Sequence, residues 1–138
     1  MRKLIAALAV SALALSGASS VDAKAKKTGE EQLAEIIKGR VAGTPVSCVN
    51  TWRDDDMSIV DNTAIVYRDG RTIYVNRTQN PQNLDWSDIL VIQKQTGNQL
   101  CKLDRVTTID RTSGYFTGVV FLTDFVPYTL PKDASANS

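Results

Sequence analysis

The chain has 138 residues, 43% of them apolar and 22% charged, with 16 Lys plus Arg against 15 Asp plus Glu and no histidine. That is one domain's worth of sequence, long enough to bury a core. The charge balance excludes a basic nucleic-acid module, and the missing histidine excludes Ser-His-Asp and Cys-His catalysis and any histidine-ligated metal.

Met1-Arg2-Lys3 makes a short positive start. Residues 4–15 are apolar apart from Ser11, and small residues fill 16–20. Val21-Asp22-Ala23 then puts small or modest side chains ahead of Lys24. This is the layout of a secretory signal peptide, with cleavage expected between Ala23 and Lys24 and Ala18 as the alternative. The apolar run is too short to cross a bilayer, so no membrane span is expected in the mature form. The bacterial style of the leader makes the periplasm or the medium the destination. Loss of residues 1–23 removes Arg2, Lys3 and Asp22 and turns the net charge of +1 into neutrality. Residues 24–132 read as a single β-rich domain. Residues 133–138, small and polar, read as a disordered tail.

Cys48 and Cys101 are the only cysteines. In an oxidising compartment an isolated pair reads as one disulfide. Redox pairs sit close together in sequence, and two thiols alone are too few for a metal site.

Thr28 and Glu31 form a capping box, and Leu33, Ile36 and Ile37 follow at helical spacing, which predicts a helix over residues 29–38. Gly39, Gly43 and Pro45 end it. From Val46 the pattern turns to short β runs. Asp61-Asn62 and Asp69-Gly70, each taken as a two-residue hairpin loop, predict a three-stranded meander over residues 57–76. That register opposes Ile59 to Ala64 and Val66 to Ile73. It puts Met57, Ile59, Ala64, Val66, Ile73 and Val75 on a core face. The second face carries Ile65, Tyr67 and Tyr74. Arg68 and Arg71 end up opposite each other, a mild like-charge cost. Residues 77–87 read as a polar loop anchored by Trp86. Ile89-Leu90-Val91-Ile92 suggests a strand buried on both sides. Residues 100–109 pair back across Cys101, and residues 119–122 form a last strand. The expected class is α+β, mainly β: an antiparallel sheet or small open barrel of about six short strands with one N-terminal helix.

Asp61 to Arg68, then Gly70, then Ile73-Tyr74-Val75-Asn76-Arg77 and a later Cys resemble a family of small exported bacterial proteins of unknown function. Phe125-Val126-Pro127-Tyr128 is similar to their ends. The resemblance implies export and one β-rich domain. It implies no activity, cofactor or catalytic residue.

Arg53-Asp54-Asp55-Asp56 lacks the alternate spacing and bend glycine of a calcium loop and reads as a solvated turn. Carboxylates for a hydrolase could come from Asp85, Asp88, Asp104, Asp110 and Asp124. Trp52 and Trp86, with Tyr67 and Tyr74, are the aromatics of interest. The face of Ile65, Tyr67 and Tyr74 is the candidate binding surface for a small ligand or an envelope protein, with cross-strand packing as the alternative. Asn76-Arg77-Thr78 fits the N-glycosylation pattern, which under a bacterial leader is a chance match. The expected function is a non-enzymatic exported binding or envelope accessory module without a cofactor. The alternatives are a small carboxylate-dependent hydrolase and an inhibitor of another exported protein.

Overall fold

The computed structural model describes residues 25–52 and 56–132. The expected cleavage site at Ala23 and Lys24, the acidic run as far as Asp55, and the tail from Asp133 lie outside the described residues.

Helix α1 (Gly29–Ile36) starts where the capping box places it. The Glu31 N–H donates to Thr28 Oγ1 at 3.3 Å, and the Thr28 N–H donates to Glu31 Oε2 at 2.8 Å. These bonds satisfy two backbone donors that a helix start otherwise leaves open. The helix stops two residues early, with Ile37 as its cap. Eight residues are too few to hold a helix in water, so α1 depends on its docking.

Among the described residues ten antiparallel strands follow: β1 (Val41–Ala42), β2 (Cys48–Asn50), β3 (Met57–Val60), β4 (Ala64–Asp69), β5 (Thr72–Asn76), β6 (Asp88–Gln93), β7 (Gln99–Cys101), β8 (Arg105–Asp110), β9 (Phe116–Val120) and β10 (Val126–Thr129). They form a five-stranded sheet in the order β1-β10-β5-β4-β3, a three-stranded sheet β6-β8-β9, and the pair β2-β7. The class is α+β, mainly β, and the sheets do not close into a barrel. The surplus over six strands comes chiefly from β1, β2 and β7, of two or three residues each. Cys48 lies opposite Cys101 in the β2-β7 pair, and the two sulfurs are bonded at 2.06 Å.

The meander forms, with two register corrections. β3 and β4 oppose Val60 to Ala64 and Ile59 to Ile65. The loop therefore has three residues, Asp61-Asn62-Thr63, not two. Asn62 adopts φ +49 in a turn closed by the Thr63 N–H to Val60 O bond, which leaves Thr63 as the extra residue. One added residue flips a strand, so Met57 and Ile59 join Ile65 and Tyr67, while Val60 joins Ala64 and Val66. The second hairpin turns on Gly70-Arg71, with Asp69 opposite Thr72. Gly70, at φ +54, takes the first central position, so Asp69 avoids a strained backbone. That shift of two keeps every face and separates Arg68 from Arg71.

Both faces of the five-stranded sheet are consequently covered. On one, Leu33 of α1 packs with Val60, Ala64, Val66, Ile73 and Val75. On the other, Ile65 and Tyr67 pack with Leu100, Val106, Val120, Leu122 and Phe125 from the facing strands and the β9–β10 connection. Burying a side chain of this size is worth about 1.5–3 kcal/mol. β6 is not buried on both sides: Leu90 and Ile92 face the core, but Ile89 and Val91 are 39% and 37% exposed. Among the described residues no further layer covers the outward face of its sheet.

Candidate functional site

Ile65 is 2% exposed and Tyr67 3%, both inside the larger core. Tyr74 packs beside them, its ring 6.2 Å from that of Tyr67. The expected binding face is therefore not at the surface. The facing strands cover it, and the extra residue Thr63 adds Met57 and Ile59 to the same apolar face. The α1 stripe covers the opposite face.

The open feature lies at the sheet edges. β3 ends the five-stranded sheet and β6 begins the three-stranded one. Among the described residues, β3 pairs only with β4 and β6 only with β8. Between these two edges runs a groove of about 740 Å³. Met57, Ile59, Leu90 and Ile92 form its apolar side, and Lys26, Asp61, Trp86, Asp88 and Arg111 its polar side.

The mouth is pinned by the β3–β4 turn. The Asn62 N–H donates to Leu84 O at 2.9 Å, and the Trp86 N–H donates to Asp61 Oδ1 at 2.7 Å. The polar loop after β5 is thereby tied to that turn, with the Trp86 side chain left outward, the residue being 61% exposed. Lys26 Nζ lies 5.9 Å from the Trp86 ring and 3.4 Å from Asp61 Oδ2, so the ammonium sits between an aromatic face and a carboxylate.

An acidic hollow of about 490 Å³ adjoins the groove, lined by Asp61, Asp85, Asp88 and Asp110 with Lys26 as its cation. Ser87 donates to Asp85 from its hydroxyl and its N–H, and these bonds hold the Asp85 carboxyl below its ordinary 3.8. Ser113 does the same to Asp110, with the Thr112 N–H assisting. Asp88 Oδ2 accepts the Thr117 hydroxyl at 2.6 Å. Asp85 and Asp110 are thus held as carboxylates, whereas a general acid needs its carboxyl pushed up. Among the described residues, no three acidic or thiol groups are arranged to hold a metal.

The five aspartates weighed for hydrolysis divide between two places. Asp85, Asp88 and Asp110 line the hollow, while Asp104 and Asp124 line a separate cleft of about 570 Å³. Asp104 accepts the N–H groups of Cys101 and Gln95, and Asp124 accepts Lys102 and Ser47, both as turn braces. Asp56 is exposed. Asn76 is fully buried and its amide exchanges hydrogen bonds with the Thr123 backbone, so the glycosylation pattern lies inside the fold.

Sequence reasoning missed the groove because it needs the β3 register and the position of β6 together. The nearest signal was Trp86 standing among aspartates in a polar loop. No protein family, curated protein or solved structure matches the chain.

Proposed function

We propose that the chain is an exported, non-enzymatic binding protein of the bacterial envelope, and that its binding site is the groove between β3 and β6. The groove carries this reading: about 740 Å³ is in the range of ligand sites, and it combines an apolar side with a few polar groups and an exposed tryptophan. The disulfide and the leader-like start support export. So does the resemblance to small exported bacterial proteins. Among the described residues no helix is long and apolar enough to cross a membrane. The lowered carboxyls of Asp85 and Asp110 suit neither for the general-acid half of a two-carboxylate hydrolase.

The test is hydrogen exchange on protein recovered from the periplasm, with and without envelope extract. The expected outcome is a chain starting at Lys24, both cysteines oxidised, with the amides of β3 and β6 protected by the extract. Exchange in β3 and β6 unchanged at saturating extract rejects the groove as the site. A retained leader rejects export by cleavage.

A further inference from the structure

The groove offers two things that seldom occur together. Its walls are strand edges with no ladder partner among the described residues. Such edges present rows of backbone donors and acceptors that only another extended backbone matches in full. The hollow at its mouth is acidic, with four carboxylates against Lys26, while Arg111 lines the groove proper and donates to Ser87 O. The chain fills part of that mouth itself. Lys26 lies on the short segment before α1, with its side chain 75% exposed, and is held by one carboxylate contact and one aromatic contact. An ammonium in that position is the molecule's own sample of what the mouth accepts. A cation delivered from outside competes with a weakly held group, since exposed pairs of this kind contribute about 1 kcal/mol or less.

We infer that the groove takes an extended polypeptide segment of another exported protein, which adds as a strand along the open edges of β3 and β6. The segment places alternate apolar side chains on Met57, Ile59, Leu90 and Ile92. A Lys or Arg at one end enters the acidic hollow beside Trp86 in place of Lys26. The proposal rests on the groove being the binding site and goes further by naming its occupant. The period of two along a strand supplies the selectivity: one face of the peptide meets the apolar side, and the other meets solvent.

The test uses a library of hexapeptides in which Val, Ile or Leu alternates with Ser or Thr. The first residue is Lys, Gln or Glu, and each peptide is also made with alternate backbone nitrogens methylated. Binding to the oxidised protein is followed by calorimetry and by amide chemical shifts. Lys-headed peptides are expected to bind and to shift amides in β3 and β6. Methylation removes two or more backbone bonds and is expected to weaken binding about tenfold or more. Exchanging Lys for Glu is expected to weaken it by a similar factor of about ten. Lys26→Ala is expected to strengthen Lys-headed peptides about two- to fivefold relative to Gln-headed ones, because the competitor is gone. Trp86→Ala, a change at an exposed side chain that leaves the core intact, is expected to weaken the Lys-headed peptides selectively.

Equal binding of methylated and unmethylated peptides overturns strand addition. Failure of every library member at millimolar concentration overturns the peptide as occupant. Cello- and chito-oligosaccharides run alongside separate that failure from failure of the groove. Saturable sugar binding with shifts in β3 and β6, lost in Ile59→Arg or Trp86→Ala, rejects the peptide and keeps the groove. Peptide binding with shifts confined to other strands rejects both.

Discussion

The five-stranded and three-stranded sheets share one core and differ on their outer faces. The first is covered by α1, whose Leu33 meets Ala64, Val66 and Val75. These are small and β-branched side chains that let a helix come close. The second leaves Ile89, Val91, Phe116 and Val119 exposed on or beside its outward face. Cross-strand register lines up Ile89 with Ile109 and Phe116, and Val91 with Thr107 and Val119. Two β-rich sequences of similar hydropathy have therefore come to different ends. Apolar content says that a strand belongs in a sheet; it does not say that both of its faces are covered. The difference depends on which face finds a partner element, and the described residues hold only one α-helix to give.

The sharpest way to break that contrast is to make the same change on each sheet. Ile65→Ala removes a side chain from the shared core and is expected to cost about 2–5 kcal/mol. Ile89→Ala, on the open face, is expected to cost less than about 1 kcal/mol. Urea midpoints of the two variants decide it, and equal losses would mean that the open face is covered in solution. The next effect is the disulfide. Cys48→Ala with Cys101→Ala opens a loop of 53 residues and is expected to cost about 2–4 kcal/mol, read by the same titration.

The features legible in the sequence were local ones. The capping box of Thr28 and Glu31 carries its geometry in four residues, Asp69-Gly70 marked the second turn but not its register, and the cysteine pair, 53 residues apart, was legible because the sequence has only two cysteines. The β3–β4 loop was not legible, because Asp61-Asn62 reads equally well as a two-residue loop and as the start of a three-residue one. That single ambiguity moved Met57 and Ile59 across the sheet, onto the face that the second sheet covers. The candidate site stayed hidden for a related reason. It lies between two strands 28 residues apart along the chain, counted from Val60 at the end of β3 to Asp88 at the start of β6, and neither pairs with the other. Trp86 was visible as an oddity, but the groove beside it was not.

The covered face also makes a prediction about close approach. A Cβ at Gly29 would lie 2.0 Å from the Asp61 carbonyl oxygen and 2.1 Å from Thr63 Oγ1. The first turn of α1 presses on the β3–β4 loop through a position that has no room for a side chain. Gly29→Ala improves intrinsic helix propensity, yet it is expected to destabilise by about 1–3 kcal/mol because α1 must back away. A neutral or stabilising result would show that α1 is not held against the loop, and the contrast between the sheets would weaken with it.

The smallest effect concerns how α1 is tied down by charge. Arg77, just past β5, grips Glu30 with two nitrogens at 2.6 and 2.9 Å. The Arg77 hydrogen bonds hold the Glu30 carboxyl below its ordinary 4.5. A carboxyl lowered in the folded state binds fewer protons than in the unfolded chain, so its stabilisation is present above about pH 4.5 and fades as pH falls through the folded value. Asp85, Asp110 and Asp124 act in the same direction from an ordinary 3.8. Glu30 is largely exposed, so solvent screening keeps the Glu30–Arg77 pair below about 1 kcal/mol. Glu30→Gln is therefore expected to lower the urea midpoint slightly at neutral pH. The gap to the parent protein should close on acidification below the carboxylate range and shrink in high salt. Between pH 6 and 8 both curves should run flat, since the chain has no histidine to titrate there. A gap that persists in acid would show that Glu30 supports α1 through packing or helix-end polarity, and not through its ion pair with Arg77.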